Sequence, residues 1–190
     1  MTRLFSASKT ISATRRIDPT PHPPTGSPYR SCGMRYYIAY GSNMNVAQMA
    51  RRCPDATPVG IATLNDYKLV FRVHATIEPE PGSQVPVLVW RISDRDEASL
   101  DRYEGYPKYY YKEHLTVTAR SLRTGKIKDL PVMVYIMDAD GLGRDITPPT
   151  PEYYLTIKDG YKRFGFDKDI LNDALYDSIN YDPEDQPRQN

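Results

Sequence analysis

The sequence predicts a mixed α/β domain, an α+β arrangement of short strands with helices between and after them. Three observations predict it. A chain of 190 residues fits one domain with a tail. From Arg35 onward, runs rich in Tyr, Val, Ile and Thr alternate in hydrophobicity, as half-buried strands do. Between and after these runs lie segments bounded by helix start and stop residues.

The first strand covers about 35–40. Asn45 to Arg52 then makes a short helix with Val46, Met49 and Ala50 on one face, capped by Asn43 or Asn45 and stopped by Pro54. Strands are expected near 57–64 and 66–73, joined at Asn65-Asp66, whose residue types suit a turn. Ala75-Thr76-Ile77 leads into a loop, Glu78-Pro79-Glu80-Pro81-Gly82-Ser83. Val85 to Ile92 is apolar on both faces, as a buried central strand is, and Pro86 marks an edge or bulge at one end of it. Ser93-Asp94-Arg95-Asp96 opens a helix with a capping-box pattern. That helix runs to about Tyr103 and ends before Gly105, a suitable left-handed terminator. Strands near 111–120 and 130–137 flank a hairpin at Thr124-Gly125, with Leu115 and Val117 alternating on one and Val132, Val134 and Ile136 on the other. A Gly- and Pro-rich loop fills 138–151, and helices occupy about 151–164 and 167–179.

Residues 1–33 differ from the rest. They are rich in Ser, Thr, Pro and Arg, and such a composition cannot bury enough surface to order itself. They read as a disordered N-terminal extension. An organelle transit peptide and an upstream start codon are the alternatives, and Met34 stands where the compact domain begins. The domain is therefore placed at 34–180, with a polar C-terminal tail at 181–190.

Net charge is +1, but residues 1–33 hold five cations against Asp18, so the remainder is net −3. Nothing there resembles a nucleic-acid-binding face. Cys32 and Cys53 do not make a disulfide framework, which favours a reducing, cytoplasmic setting. His22, His74 and His114 are scattered without metal-ligand spacing, so no metal site is expected. No run is long and apolar enough to span a membrane. Sixteen Tyr against one Trp and four Phe is a marked bias, since Tyr both packs and lines polar pockets.

Two features carry candidate chemistry. Tyr36-Tyr37-Ile38-Ala39-Tyr40 runs into Gly41-Ser42-Asn43, small residues that tolerate tight backbone and let N–H groups face a ligand. Glu104 lies in the last turn of its helix, at the negative end of the macrodipole, among Tyr103, Tyr106 and Tyr109. Partial desolvation and the dipole both raise a carboxylate pKa, which suits a general base. An ordinary turn and an exposed surface Glu are the plain alternatives. Ser42 and Cys53 lack the context of activated nucleophiles.

Ala39-Tyr40-Gly41-Ser42-Asn43 together with Leu100-Asp101-Arg102-Tyr103-Glu104-Gly105 resembles the γ-glutamylcyclotransferase (AIG2-like) family. Ala62 to Leu69, Val85 to Trp90, Tyr135 and Pro148-Pro149-Thr150-Pro151 resemble further parts of it in the same order, so the likeness spans about Arg35 to Asp177. The resemblance implies a mixed β-barrel with surrounding helices. It implies cofactor-independent cyclisation of a γ-glutamyl group to 5-oxoproline with release of an amino acid or amine, as in glutathione metabolism. Residue by residue it implies Glu104 as the base, Tyr37, Ile38, Ala39, Tyr40, Gly41, Ser42 and Asn43 as the substrate loop, and Tyr135 and Tyr111 as further substrate contacts. Its partner is a small γ-glutamyl molecule, with a homodimer left open. Three departures from the family pattern bear on the substrate: Val87 in place of a frequent Gly, Tyr103 before the Glu, and the length of the loop 138–146. A γ-glutamylamine substrate of the γ-glutamyl-lysine type is the alternative, favoured if Glu78, Glu80 or Glu113 forms an acidic wall. A non-catalytic ligand-binding module is another.

Overall fold

The structure, a computed structural model, describes residues 33–185, so the expectations for residues 1–32 and 186–190 lie outside the described residues. In chain order come β1 (Met34–Ala39), a 3-10 turn (Ser42–Met44), α1 (Val46–Arg52), β2 (Thr57–Arg72), β3 (His74–Ser93) and α2 (Asp94–Glu104). They are followed by β4 (Tyr110–Ser121), β5 (Ile127–Met137), a one-turn α3 (Ala139–Leu142), α4 (Pro151–Phe164) and α5 (Lys168–Ile179). The strands form a closed barrel in the order β1-β3-β2-β4-β5. Neighbours are antiparallel except β1 and β5, which close the barrel in parallel at Tyr37 and Met133.

Helix boundaries follow local cap chemistry. Asn45 caps α1 by accepting the Gln48 N–H at 3.0 Å. Ser93 and Asp96 complete a reciprocal capping box at α2, and Gly105 ends it at φ +66°, where a Cβ would also meet the Tyr109 ring at 2.5 Å. Thr150 and Gly165 bound α4 in the same manner.

The β2–β3 region departs from expectation. The predicted turn at Asn65-Asp66 and the predicted loop at 78–83 are both absorbed into two long paired strands. The reversal falls instead at Val73, at φ +68°, between the paired residues Arg72 and His74. A β-branched residue in left-handed backbone carries no turn signal, so the sequence placed the turn elsewhere. Asp66 keeps a trace of it: at φ +62° it sits at a register shift and accepts the Gly82 N–H at 2.9 Å. Val85 to Ile92 is central, between β1 and β2, and Pro86 lies past the end of β1, where no ladder bond is lost on that side.

The core is continuous, with Ile38, Phe71, Ile77, Leu88, Trp90, Ile92 and Leu100 fully or almost fully buried. Leu100 anchors α2 to the barrel. Lys112 of β4 then fixes α2 from the side, with Glu97 at 2.6 Å and Asp101 at 2.7 Å, while Arg35 of β1 pairs with Asp94 and Glu97. No helix among the described residues is long and apolar enough to cross a membrane.

Candidate active site

The end of β1 and the end of α2 meet at the mouth of a cavity of about 190 Å³. Six tyrosines, at positions 37, 40, 103, 110, 135 and 153, wall it together with Gly41, Ser42, Asn43, His74 and Ala75, and Glu104 is its carboxylate.

Asn43 joins the two halves. Its Nδ2 donates to Glu104 Oε1 at 2.8 Å and to the Tyr37 hydroxyl at 2.9 Å. Its Oδ1 accepts from Arg52 at 2.6 Å, and its carbonyl accepts from the Trp90 indole at 3.1 Å. Arg52 carries only donors, so it must face the amide oxygen, which turns the amide nitrogen toward Glu104. Arg52 in turn stacks 3.6 Å over the Tyr103 ring.

Burial pushes the Glu104 carboxyl up from 4.5 to about 7, against the smaller lowering effects of the Asn43 hydrogen bond and the Arg52 charge. Burial also holds the phenols of Tyr37, Tyr40, Tyr110 and Tyr135 well above their usual range and moves Tyr153 to about 12, so they stay protonated. Of the three neighbours expected in sequence, only Tyr103 lines the cavity. Tyr106 and Tyr109 are exposed and do not line the cavity, whereas Tyr37, Tyr40, Tyr110 and Tyr153 do.

The loop holds its shape through buried contacts. Gly41 has φ −111°, so left-handed backbone is not what requires glycine there. Space is: a Cβ would sit 3.3 Å from Ala75 Cβ and 3.4 Å from the Tyr153 hydroxyl. A second close approach fixes the loop from behind, where a Cβ on Gly160 of α4 would lie 2.7 Å from Met44 Cβ. Among the described residues, the backbone N–H groups of Gly41, Ser42 and Asn43 donate no loop or cap hydrogen bond. All three residues line the cavity.

Of the residues singled out in sequence, Tyr37, Tyr40, Gly41, Ser42, Asn43, Glu104 and Tyr135 come together. Ile38 and Ala39 are buried in the core and only carry the loop. The Tyr135 hydroxyl is engaged by Asp101 at 2.5 Å and its carbonyl accepts from Tyr40 at 2.6 Å, so its ring forms wall against Tyr37. Tyr111 does not reach the cavity; it is 44% exposed, and Tyr110 lines the wall in its place. Val87 is fully buried in the core and does not form the cavity floor. Glu78 pairs with Arg72, Glu80 with Lys68, and Glu113 meets Tyr67, so none of the three makes an acidic wall. Tyr110, Tyr153, His74 and Arg52 were missed. Cys53 is buried, its thiol pushed up to about 12 by desolvation, and is no nucleophile. Among the described residues no three His, Cys, Asp or Glu side chains cluster to hold a metal ion.

The closed barrel thus brings a buried carboxylate and a loop of small residues to one cavity. The sequence profile described as gamma-glutamyl cyclotransferase, AIG2-like, matches residues 37–155. Gamma-glutamylcyclotransferases of Mus musculus and Homo sapiens are 32% and 30% identical over 141 residues, covering 68% of this chain and 71% of each relative. A solved gamma-glutamyl cyclotransferase structure superposes with a TM-score of 0.62 at 25% identity, over 82% of this chain and 92% of that one. The chain belongs to the γ-glutamylcyclotransferase, AIG2-like, family.

Proposed function

We propose that this chain is a γ-glutamylcyclotransferase that converts a γ-glutamyl amino acid or peptide to 5-oxoproline, with Glu104 as general base and then acid. The single observation behind this reading is the Glu104 carboxylate: raised to about 7, facing the cavity, and hydrogen-bonded to Asn43 of the loop.

The substrate supplies its own nucleophile. Its α-amine, an ammonium with an ordinary pKa of about 7.7–8.0, must lose a proton before it attacks. Glu104 takes that proton. The amine nitrogen then bonds to the γ-carbonyl carbon, closing a five-membered ring, and the carbon–nitrogen bond to the leaving group breaks. Glu104 returns that proton to the departing nitrogen and then takes the second proton left on the ring nitrogen, which leaves with the released amine as its ammonium, so atoms and charge balance without water. Holding the chain folded makes the attack intramolecular and removes most of its entropic cost. Gly41, Ser42 and Asn43 line the cavity, and their backbone N–H groups are the donors we assign to the developing oxyanion. Protonated tyrosines wall the site around it.

Release of 5-oxoproline from γ-glutamyl dipeptides, glutathione and γ-glutamyl-lysine tests the reading. Glu104→Gln should keep the fold and lose about 10²–10⁴-fold in turnover. Undiminished 5-oxoproline production by that variant would remove Glu104 from the mechanism.

A further inference from the structure

The catalytic cavity, at about 190 Å³, is smaller than the roughly 300–1,000 Å³ of most small-molecule pockets. It has room for the group that cyclises, and the leaving fragment must run out of it. One wall residue, His74, lies between it and a neighbouring hollow that it also lines. That residue belongs to the cavity wall and also to a second cavity of about 250 Å³, whose other sides include Arg72, Val73, Arg144 and Thr147, with Asp145 at the exposed rim.

The two arginines there are in different states. Arg72 is committed: its Nε donates to Glu78 at 2.8 Å and it also donates to the Arg144 carbonyl. The Arg144 guanidinium has no carboxylate partner among the described residues. It is half-buried against soft groups, Met137 Sδ at 4.0 Å and the Tyr109 ring at 5.7 Å. Its backbone is held, since its N–H donates to the Ala139 carbonyl at 2.9 Å. Its charge is felt at the catalytic wall: it adds to burial in lowering the His74 pKa, and it opposes burial at Tyr110. His74 is thereby a neutral donor, set edge-on to Tyr153 at 5.1 Å. An unpaired guanidinium on an apolar bed beside a neutral imidazole suits a planar carboxylate, which it can grip in bidentate fashion. Arg144 also lies in the Gly-rich loop 138–146, the segment whose length departs from the family pattern.

We propose that Arg144, with His74, forms a subsite for the α-carboxylate of the departing amino acid, and that Arg144 thereby determines leaving-group specificity. This rests on the γ-glutamylcyclotransferase reading. In a γ-glutamyl α-amino acid, the carboxylate hangs on the carbon that bears the scissile nitrogen, so it emerges at the cavity edge. An alkyl amine has hydrogen there. An ε-linked lysine carries its carboxylate several carbons away, and glutathione carries a neutral amide at that position.

The test compares γ-glutamyl-alanine with γ-glutamyl-ethylamide, which differ only in that carboxylate. Both are assayed by 5-oxoproline release with the wild-type chain, Arg144→Gln and Arg144→Lys. The wild type should prefer the alanine substrate. Arg144→Gln should lose about 10–100-fold in kcat/KM on γ-glutamyl-alanine, mainly through KM, as expected for a charge-assisted hydrogen bond. The ethylamide should be processed at the wild-type rate, and Arg144→Lys should recover part of the loss as a point charge. An equal loss on both substrates, or no loss on either, overturns the subsite while leaving the cyclotransferase reading intact. No 5-oxoproline from either substrate with the wild-type chain removes the cyclotransferase reading, and the subsite with it.

Discussion

Replacing Glu104 by Gln should stabilise the protein at alkaline pH and leave it nearly unchanged at acid pH. In the folded state the carboxyl is raised from 4.5 to about 7, chiefly by burial. Between those two values the folded protein keeps a proton that the unfolded chain has released. Stability therefore falls as pH rises through that window and levels off above about 7. At about 1.36 kcal/mol per pH unit, the full cost of holding the charge is about 3 kcal/mol. Gln carries no charge at any pH, and its amide oxygen can still accept from Asn43 Nδ2, as Glu104 Oε1 does. The stability difference between variant and wild type should be small at pH 4 and reach about 3 kcal/mol at pH 8. For a chain of this size that corresponds to a Tm higher by roughly 6–12 °C at pH 8. Urea unfolding and thermal melts of both proteins across this pH range measure it. A gain that is the same at every pH, or a variant less stable than wild type at pH 8, would refute a desolvated carboxylate at this position.

Asn43→Ala removes the donor that favours ionised Glu104, so the acidic limb of the pH–kcat/KM profile should move to higher pH by about one pH unit. An unmoved limb would separate Asn43 from the base. Gly41→Val places a branched side chain against Ala75 and Tyr153, and KM should rise about tenfold or more while Tm changes little; wild-type kinetics would mean that the loop does not hold substrate. Gly160→Ala drives a methyl to within 2.7 Å of Met44 Cβ, and the overpacking should cost about 1–3 kcal/mol in urea unfolding despite the better helix propensity of Ala. A more stable variant would show that α4 does not press on the loop.

What was readable in the sequence was what local chemistry decides. Asn45, Ser93 with Asp96, and Gly105 set helix ends within a residue or two, because a cap is satisfied by atoms three or four positions away. The loop and Glu104 were readable for the same reason, one as a strand end with small residues and the other as a carboxylate at the wrong end of a helix. Facing residues were harder. Tyr110 and Tyr111 are adjacent on β4, opposite Met137 and Ile136, and a one-residue slip of that register would exchange the inward and outward ring. Nothing local fixes that register: the family resemblance implied Tyr111, and the barrel turns Tyr110 to the cavity instead. Tyr153 reaches the site only because Gly160 lets α4 approach Met44, and His74 only because the β2–β3 reversal falls at Val73.

The same distinction explains why the cause of the Glu104 shift was misassigned while its direction was not. Sequence neighbours were the only aromatic groups visible, so Tyr103, Tyr106 and Tyr109 were given the desolvation. In the folded chain Tyr103 does line the cavity, but Tyr106 and Tyr109 face solvent, and rings from β1, β4 and α4 complete the wall around the carboxylate. Asn43 makes the arrangement specific. One amide side chain takes its orientation from Arg52, its position from Trp90, and gives a hydrogen bond to the base. A buried carboxylate with no donor would stay protonated far above neutrality, and one fully paired with a cation would ionise too readily to return its proton. The Asn43 amide and the Arg52 charge together oppose burial and leave Glu104 near 7, the range in which the proposed base would both accept an ammonium proton and deliver one to a leaving nitrogen.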